Sequence, residues 1–158
     1  MDEKNDLQID ATLAKIKHRI IVLSGKGGVG KSFIATNLAY GLALQGKKVG
    51  LLDVDIHGPS IAKFTNVEGV PIQVHPISGK PAPIKVLSNL WVLTIASMLS
   101  SDSSAVIWRG PLKTALIRQF FSDFDWDELD YLVVDCPPGT GDEPLSIIQT
   151  LKWVDGAV

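Results

Sequence analysis

The nine residues Ser24-Gly25-Lys26-Gly27-Gly28-Val29-Gly30-Lys31-Ser32 constrain this chain more than any other segment. Glycine gives up more backbone entropy on folding than any other residue, so a run this rich in it needs a reason. Close approach of the backbone to an anion supplies one. The apolar run Ile20-Ile21-Val22-Leu23 precedes the segment and a helical pattern follows it. Gly25, four residues, then Gly30-Lys31-Ser32 is the spacing of a phosphate-binding loop (P-loop). Backbone N–H groups of Gly25, Lys26, Gly27, Gly28, Val29 and Gly30 would cradle phosphate oxygens, with the positive end of the next helix behind them. Lys31 can reach the outer phosphates, and the Ser32 hydroxyl can ligate Mg²⁺. A second lysine, Lys26, lies inside the loop.

Gly25, Gly27 and Gly30 also satisfy G-x-G-x-x-G, with Asp53 near the spacing of a ribose-binding acid. Lys31 and Ser32 decide against that reading, because a dinucleotide fold needs neither a lysine nor a magnesium-binding hydroxyl there.

A P-loop needs a second acid at the end of a neighbouring strand. Asp135 closes Leu132-Val133-Val134 and leads into Cys136-Pro137-Pro138-Gly139-Thr140-Gly141-Asp142-Glu143. It is the expected holder of the metal, and Gly139 is expected to offer an N–H to a terminal phosphate. Asp53 and Asp55 end another apolar run, and alternation puts both on one face. Asp53 is assigned to the metal shell with Ser32 and Asp135. Asp55 is assigned to the attacking water, beside the catalytic lysines Lys31 and Lys26.

Periodicity predicts buried strands at 19–24, 48–53 and 131–135. Shorter strands are expected at 72–75 and 84–87, and a stronger one at 90–95. Ile34, Leu38 and Leu42 predict a helix over 31–45, stopped by Gly46. Pro111 opens a second helix, with Leu112, Leu116 and Phe120 on one face. A third spans 143–152 with Asp142 as its N-cap, and 153–158 begins another strand. Strands alternating with helices predict an α/β, three-layer P-loop NTPase fold whose mostly parallel sheet is covered on both faces. Residues 1–18 read as a polar N-terminal arm, with Leu13 and Ile16 on the apolar side of a short helical piece. Residues 19–158 read as a P-loop ATPase domain that lacks its C-terminal part.

The chain has 158 residues, 46% hydrophobic, with a net charge of −2. That supports one core and gives no global basic field for nucleic acid. No apolar run approaches the ~20 residues of a spanning helix, and the polar start is unlike a signal peptide. The single cysteine, Cys136, cannot form an internal disulfide and fits a reducing compartment. A cytoplasmic protein with neither nucleic-acid nor membrane partners is expected. His18, His57, His75 and Arg109 read as surface or pairing residues. Trp91, Trp108, Trp126 and Trp153 read as core or hinge packing.

The loop Gly-Lys-Gly-Gly-Val-Gly-Lys-Ser resembles the deviant P-loop of nitrogenase iron protein, septum-positioning and partition ATPases, arsenite ATPases and the Mrp family of iron–sulfur cluster carriers. Asp53 to Ser60, Trp108-Arg109-Gly110-Pro111 and Asp130 to Glu143 resemble the Mrp family specifically. The resemblance implies an ATP- and Mg²⁺-dependent ATPase that acts as a homodimer, with Lys26 of one subunit reaching the phosphates held by the other. It also implies a carrier that binds [4Fe–4S] clusters and passes them to apoproteins. The segments after Asp53 and Asp135 resemble switches that move when the terminal phosphate leaves. One expected element is missing. Such carriers hold the cluster with a Cys-x-x-Cys pair in their C-terminal part, which this chain lacks. Two copies of Cys136 offer two thiolates where a cluster takes about four. Two other readings stay open, a partition- or septum-type ATPase and a nucleotide-binding module without turnover.

Overall fold

The computed structural model describes residues 3–55, 60–95, 97 and 112–158. His57, Trp108, Arg109 and Pro111 lie outside the described residues. A six-stranded sheet forms the middle layer, in the order β5-β6-β2-β7-β1-β8. The strands are β1 (Ile16–Val22), β2 (Val49–Asp53), β5 (Ile84–Leu87), β6 (Leu90–Thr94), β7 (Leu129–Asp135) and β8 (Gly156–Ala157). All pairings in it are parallel except β5 with β6. A separate antiparallel pair joins β3 (Gln73–Val74) to β4 (Pro81–Ala82). The strand expected at 72–75 is reduced to β3, the one expected at 84–87 is β5 end for end, and the other expected strands are in place with shifted ends.

Parallel strands need both faces covered, and alternation along each strand divides the core in two. Leu51, Val92 and Val133 pack with Ala35, Ala39 and Ala43 of helix α2 (Lys31–Leu44) and with Ile61 and Ala62 of the short α3 (Ile61–Phe64). Leu52, Leu93, Leu132 and Val134 point the other way. They meet Ile9 and Leu13 of α1 (Glu3–Ala14), Leu116, Ile117 and Phe120 of α4 (Leu112–Ser122), and Ile147 and Leu151 of α5 (Asp142–Leu151). Alanines at four-residue spacing let α2 sit close on the sheet, which brings its N-terminus over the ends of β1 and β7.

Within residues 3–18 the polar sequence folds onto the sheet. Helix α1 buries Ile9 and Leu13 in the main core, and Ile16 belongs to β1, paired with Leu129. The buried Arg19 guanidinium fastens this layer. It donates to Leu13 O at 2.5 Å and Leu151 O at 2.6 Å, with its carbon 3.5 Å from the centre of the Trp153 ring. Trp153 is half-exposed, while Trp126 is buried and donates its Nε1–H to Phe120 O. Gly141, not Asp142, holds the N-cap position of α5.

Gly50 sits in β2 where no side chain fits. A Cβ there would lie 2.7 Å from both Leu129 Cδ1 and Trp126 Cζ3. Gly50→Ala is therefore expected to cost about 1–3 kcal/mol by overpacking. Urea unfolding reads this directly, and an unchanged midpoint would contradict the packing account.

Candidate functional site

β1 ends at Val22 and the chain turns through the glycine loop into α2. Two glycines make the turn in the left-handed region, Gly28 at φ 73° and Gly30 at φ 94°. Any other residue would be strained there, and beyond the adjoining residues no atom lies within 4 Å of where a Cβ would stand on Gly25, Gly27, Gly28 or Gly30. Gly30 is the N-cap of α2 and no side chain caps the helix. The N–H groups of its first turn are thus left for an anion.

A cavity of about 390 Å³ opens above this turn. Ser24, Gly27, Gly28, Gly30, Lys31, Ser32, Asp55 and Pro138 line it, with Ser60, Phe33 and Phe64 on the far side. Below it, the parallel register sets Asp53 of β2 beside Asp135 of β7. Lys31 Nζ lies 2.5 Å from Asp135 Oδ1 and 3.7 Å from Asp55 Oδ2. Ser32 Oγ donates to Asp135 Oδ2 at 2.5 Å. One acid thus collects the loop's lysine and hydroxyl. Burial pushes the Asp135 carboxyl up, and the bonds from Lys31 and Ser32 oppose that push.

Asp53 and Asp55 take different positions. Asp55 lines the cavity, whereas Asp53 is fully buried and accepts the Asp55 N–H at 3.0 Å. Its Oδ2 has no hydrogen-bond partner among the described residues. Burial, then the neighbouring Asp135 charge, pushes the Asp53 carboxyl up to about 8. The folded chain then keeps a proton that the unfolded chain releases near 3.8. Stability from this group is full below that value and is lost as pH rises towards about 8. Asp53→Asn mimics the neutral form, so its urea midpoint should gain on wild type steadily across that window. Parallel pH profiles for the two proteins would sink this assignment.

Gly139 stands opposite the start of the loop. At φ 115° it turns its N–H onto Ser24 O, 2.8 Å away, so that donor is engaged with the phosphate loop. Lys26 is exposed on the loop and, like Gly25 and Val29, does not line the cavity. The Phe33 and Phe64 rings meet edge to face at 6.3 Å and are each about half exposed, at 56% and 50%. Sequence reasoning missed this rim. Phe33 directly follows Ser32, which was a usable signal, but four-residue α3 has no periodicity to announce Phe64.

The donor set suits a hard cation. Ser32 and Asp135 offer oxygen ligands, and Asp53 holds an orphaned buried oxygen beside them. Mg²⁺ takes few protein ligands and completes its shell with phosphate and water. Cys136 does not suit iron. It is fully buried, and burial pushes its thiol up to about 12. His18 stacks on Tyr131 near Asp155, and His75 lies near Asp125, both outside this cavity.

The profile of the NUBPL iron-transfer P-loop NTPases, a ParA family, matches residues 15–158. The chain belongs to this family. Among curated proteins, this NUBPL-family chain is 49% identical over 157 residues to an iron-sulfur cluster carrier protein of Methanocaldococcus jannaschii, covering 98% of the chain and 53% of that protein. It is 48% identical to the cytosolic Fe-S cluster assembly factor CFD1 of Yarrowia lipolytica, covering 94% of the chain and 51% of that protein. A solved nucleotide-binding protein of Archaeoglobus fulgidus in complex with ADP superposes with a TM-score of 0.81 at 40% identity. The match covers 96% of this chain and 57% of that one. The chain spans about half the length of the curated relatives it matches. No helix among the described residues is long and apolar enough to cross a membrane.

Proposed function

We propose that this NUBPL-family chain is an Mg²⁺-dependent ATPase module that powers the loading or delivery of iron–sulfur clusters. The observation that carries this reading is the convergence of Lys31 and Ser32 on Asp135 beneath a glycine cradle with an uncapped helix N-terminus. The phosphates of ATP would lie along Gly27 to Gly30, with Lys31 turned from Asp135 onto the outer phosphates. Ser32 and Asp135 would hold Mg²⁺, which supplies charge neutralisation at the phosphates when bound. Asp55, which lines the cavity, would orient the attacking water.

Lys26 points to a second subunit. The cavity already contains one lysine, and Lys26 is exposed outside it. In a homodimer facing across two nucleotides, Lys26 would reach the partner's phosphates and add positive charge where the transition state gathers negative charge. Hydrolysis would then require the two chains to close on each other. Gly139 would exchange its bond to Ser24 for one to the terminal phosphate, coupling the second switch to the nucleotide.

Clusters are cargo, destined for apoproteins. Cys136 is unfit to hold them, so this chain's part in the reading is the nucleotide site. A cytosolic setting follows the name of the yeast relative. The test is phosphate release from ATP by the purified chain, with Mg²⁺ and with excess chelator. Release that depends on Mg²⁺ is expected. Nucleotide binding without release would mark a binding module and overturn the enzymatic reading.

A further inference from the structure

Both oxygens of Asp135 are engaged within the protein itself. Oδ1 accepts from the Lys31 ammonium at 2.5 Å and Oδ2 from the Ser32 hydroxyl at 2.5 Å. The same ammonium lies 3.4 Å from Ser32 Oγ and 3.7 Å from Asp55 Oδ2. The Lys31, Asp55 and Asp135 side chains are 6%, 9% and 0% exposed, so water screens these charges little. A divalent cation approaching Asp135 therefore meets a buried positive charge already on the oxygen it needs. It also meets a serine hydroxyl whose proton is committed to the other oxygen.

We propose that Lys31 is a resident cation that keeps Asp135 closed to divalent metal until phosphate draws it away, so that metal enters with the nucleotide or after it. The inference rests on the nucleotide-site reading above. A polyphosphate offers the ammonium a partner of higher charge than a single carboxylate, at the mouth of the same cavity. As Lys31 turns to it, Asp135 loses the ammonium bonded to its Oδ1 and becomes a ligand for a hard cation. Lys31 thus serves twice, as a phosphate ligand and as a gate on its own metal site. The coupling is reciprocal, so bound metal would also favour the phosphate-facing lysine. An order of this kind keeps the acid from collecting metal that carries no nucleotide.

Mn²⁺, counted by the loss of its free paramagnetic resonance signal, tests this on the purified chain without nucleotide. The proteins are wild type, Lys31→Met, Lys31→Gln, and Lys31→Met with Asp135→Asn, each verified as folded by circular dichroism. Methionine keeps the unbranched stem and removes the charge. Either single variant is expected to gain one Mn²⁺ per chain, with affinity above wild type on the order of ten- to a hundredfold, the range over which neighbours of metal ligands commonly act. The added Asp135→Asn change should abolish the gain, and ADP should raise Mn²⁺ uptake by wild type. Folded single variants that take Mn²⁺ no more tightly than wild type overturn the gate. So does wild type that takes Mn²⁺ equally well with and without ADP. Failure of wild type to bind ADP at all would instead strike the nucleotide reading, while the comparison of metal uptake by variants and wild type still decides the gate.

Discussion

Lys26→Ala is expected to cut phosphate release by about a thousandfold or more while ADP binding stays close to wild type. The size follows from the worth of a cation supplied to a phosphoryl-transfer site by a neighbouring subunit, roughly 10³–10⁵ in rate. The retained binding follows from position, since Lys26 is exposed and does not line the cavity that Lys31 serves. A mixing experiment separates a partner role from a local one. Lys26→Ala chains keep a complete cavity, and Lys31→Ala chains keep Lys26. A mixed dimer joins an intact cavity to an intact Lys26 across the interface, so two inactive preparations should regain release when combined. No regain would place Lys26 in its own subunit's chemistry or outside the chemistry altogether.

Lys31→Ala should fail at an earlier step. Its ammonium is the one cation bonded to Asp135 among the described residues, and it lies at the foot of the phosphate cavity. Removing it deletes a charge from the low-dielectric site where charge develops, an effect typically worth about 10²–10³ in turnover. Nucleotide affinity should fall as well, because ground-state phosphate meets the same lysine. The two lysines therefore predict different signatures. Lys26→Ala lowers turnover at nearly constant affinity, and Lys31→Ala lowers both. Equal behaviour of the two variants in binding and in release would contradict the division of roles.

The parts of this site legible in the sequence were those that short-range chemistry dictates. Glycine spacing announced the turn, since few backbones other than Gly28 and Gly30 reach their φ values without strain. Apolar runs ending in Asp53 and Asp135 announced adjacent strand ends, and the parallel register sets those acids side by side. Other features depend on contacts far apart in sequence. The burial of α1 depends on its packing against α4, which no local pattern in residues 1–18 reports. The different positions of Asp53 and Asp55 arise because the strand ends at Asp53, so the next turn lifts Asp55 to the cavity and leaves Asp53 buried beneath it. The bond from Gly139 to Ser24 joins two loops 115 residues apart and belongs to tertiary structure alone.

The central claim is that the glycine turn, the uncapped start of α2 and Lys31 form a nucleotide-phosphate site in this chain. Calorimetric titration of the wild-type chain with ADP in the presence of Mg²⁺, set beside adenosine, tests it most directly. The account predicts saturable binding of one ADP per chain and no comparable binding of adenosine, because phosphate contacts supply the affinity. Absence of saturable ADP binding, or equal binding of adenosine and ADP, would contradict it.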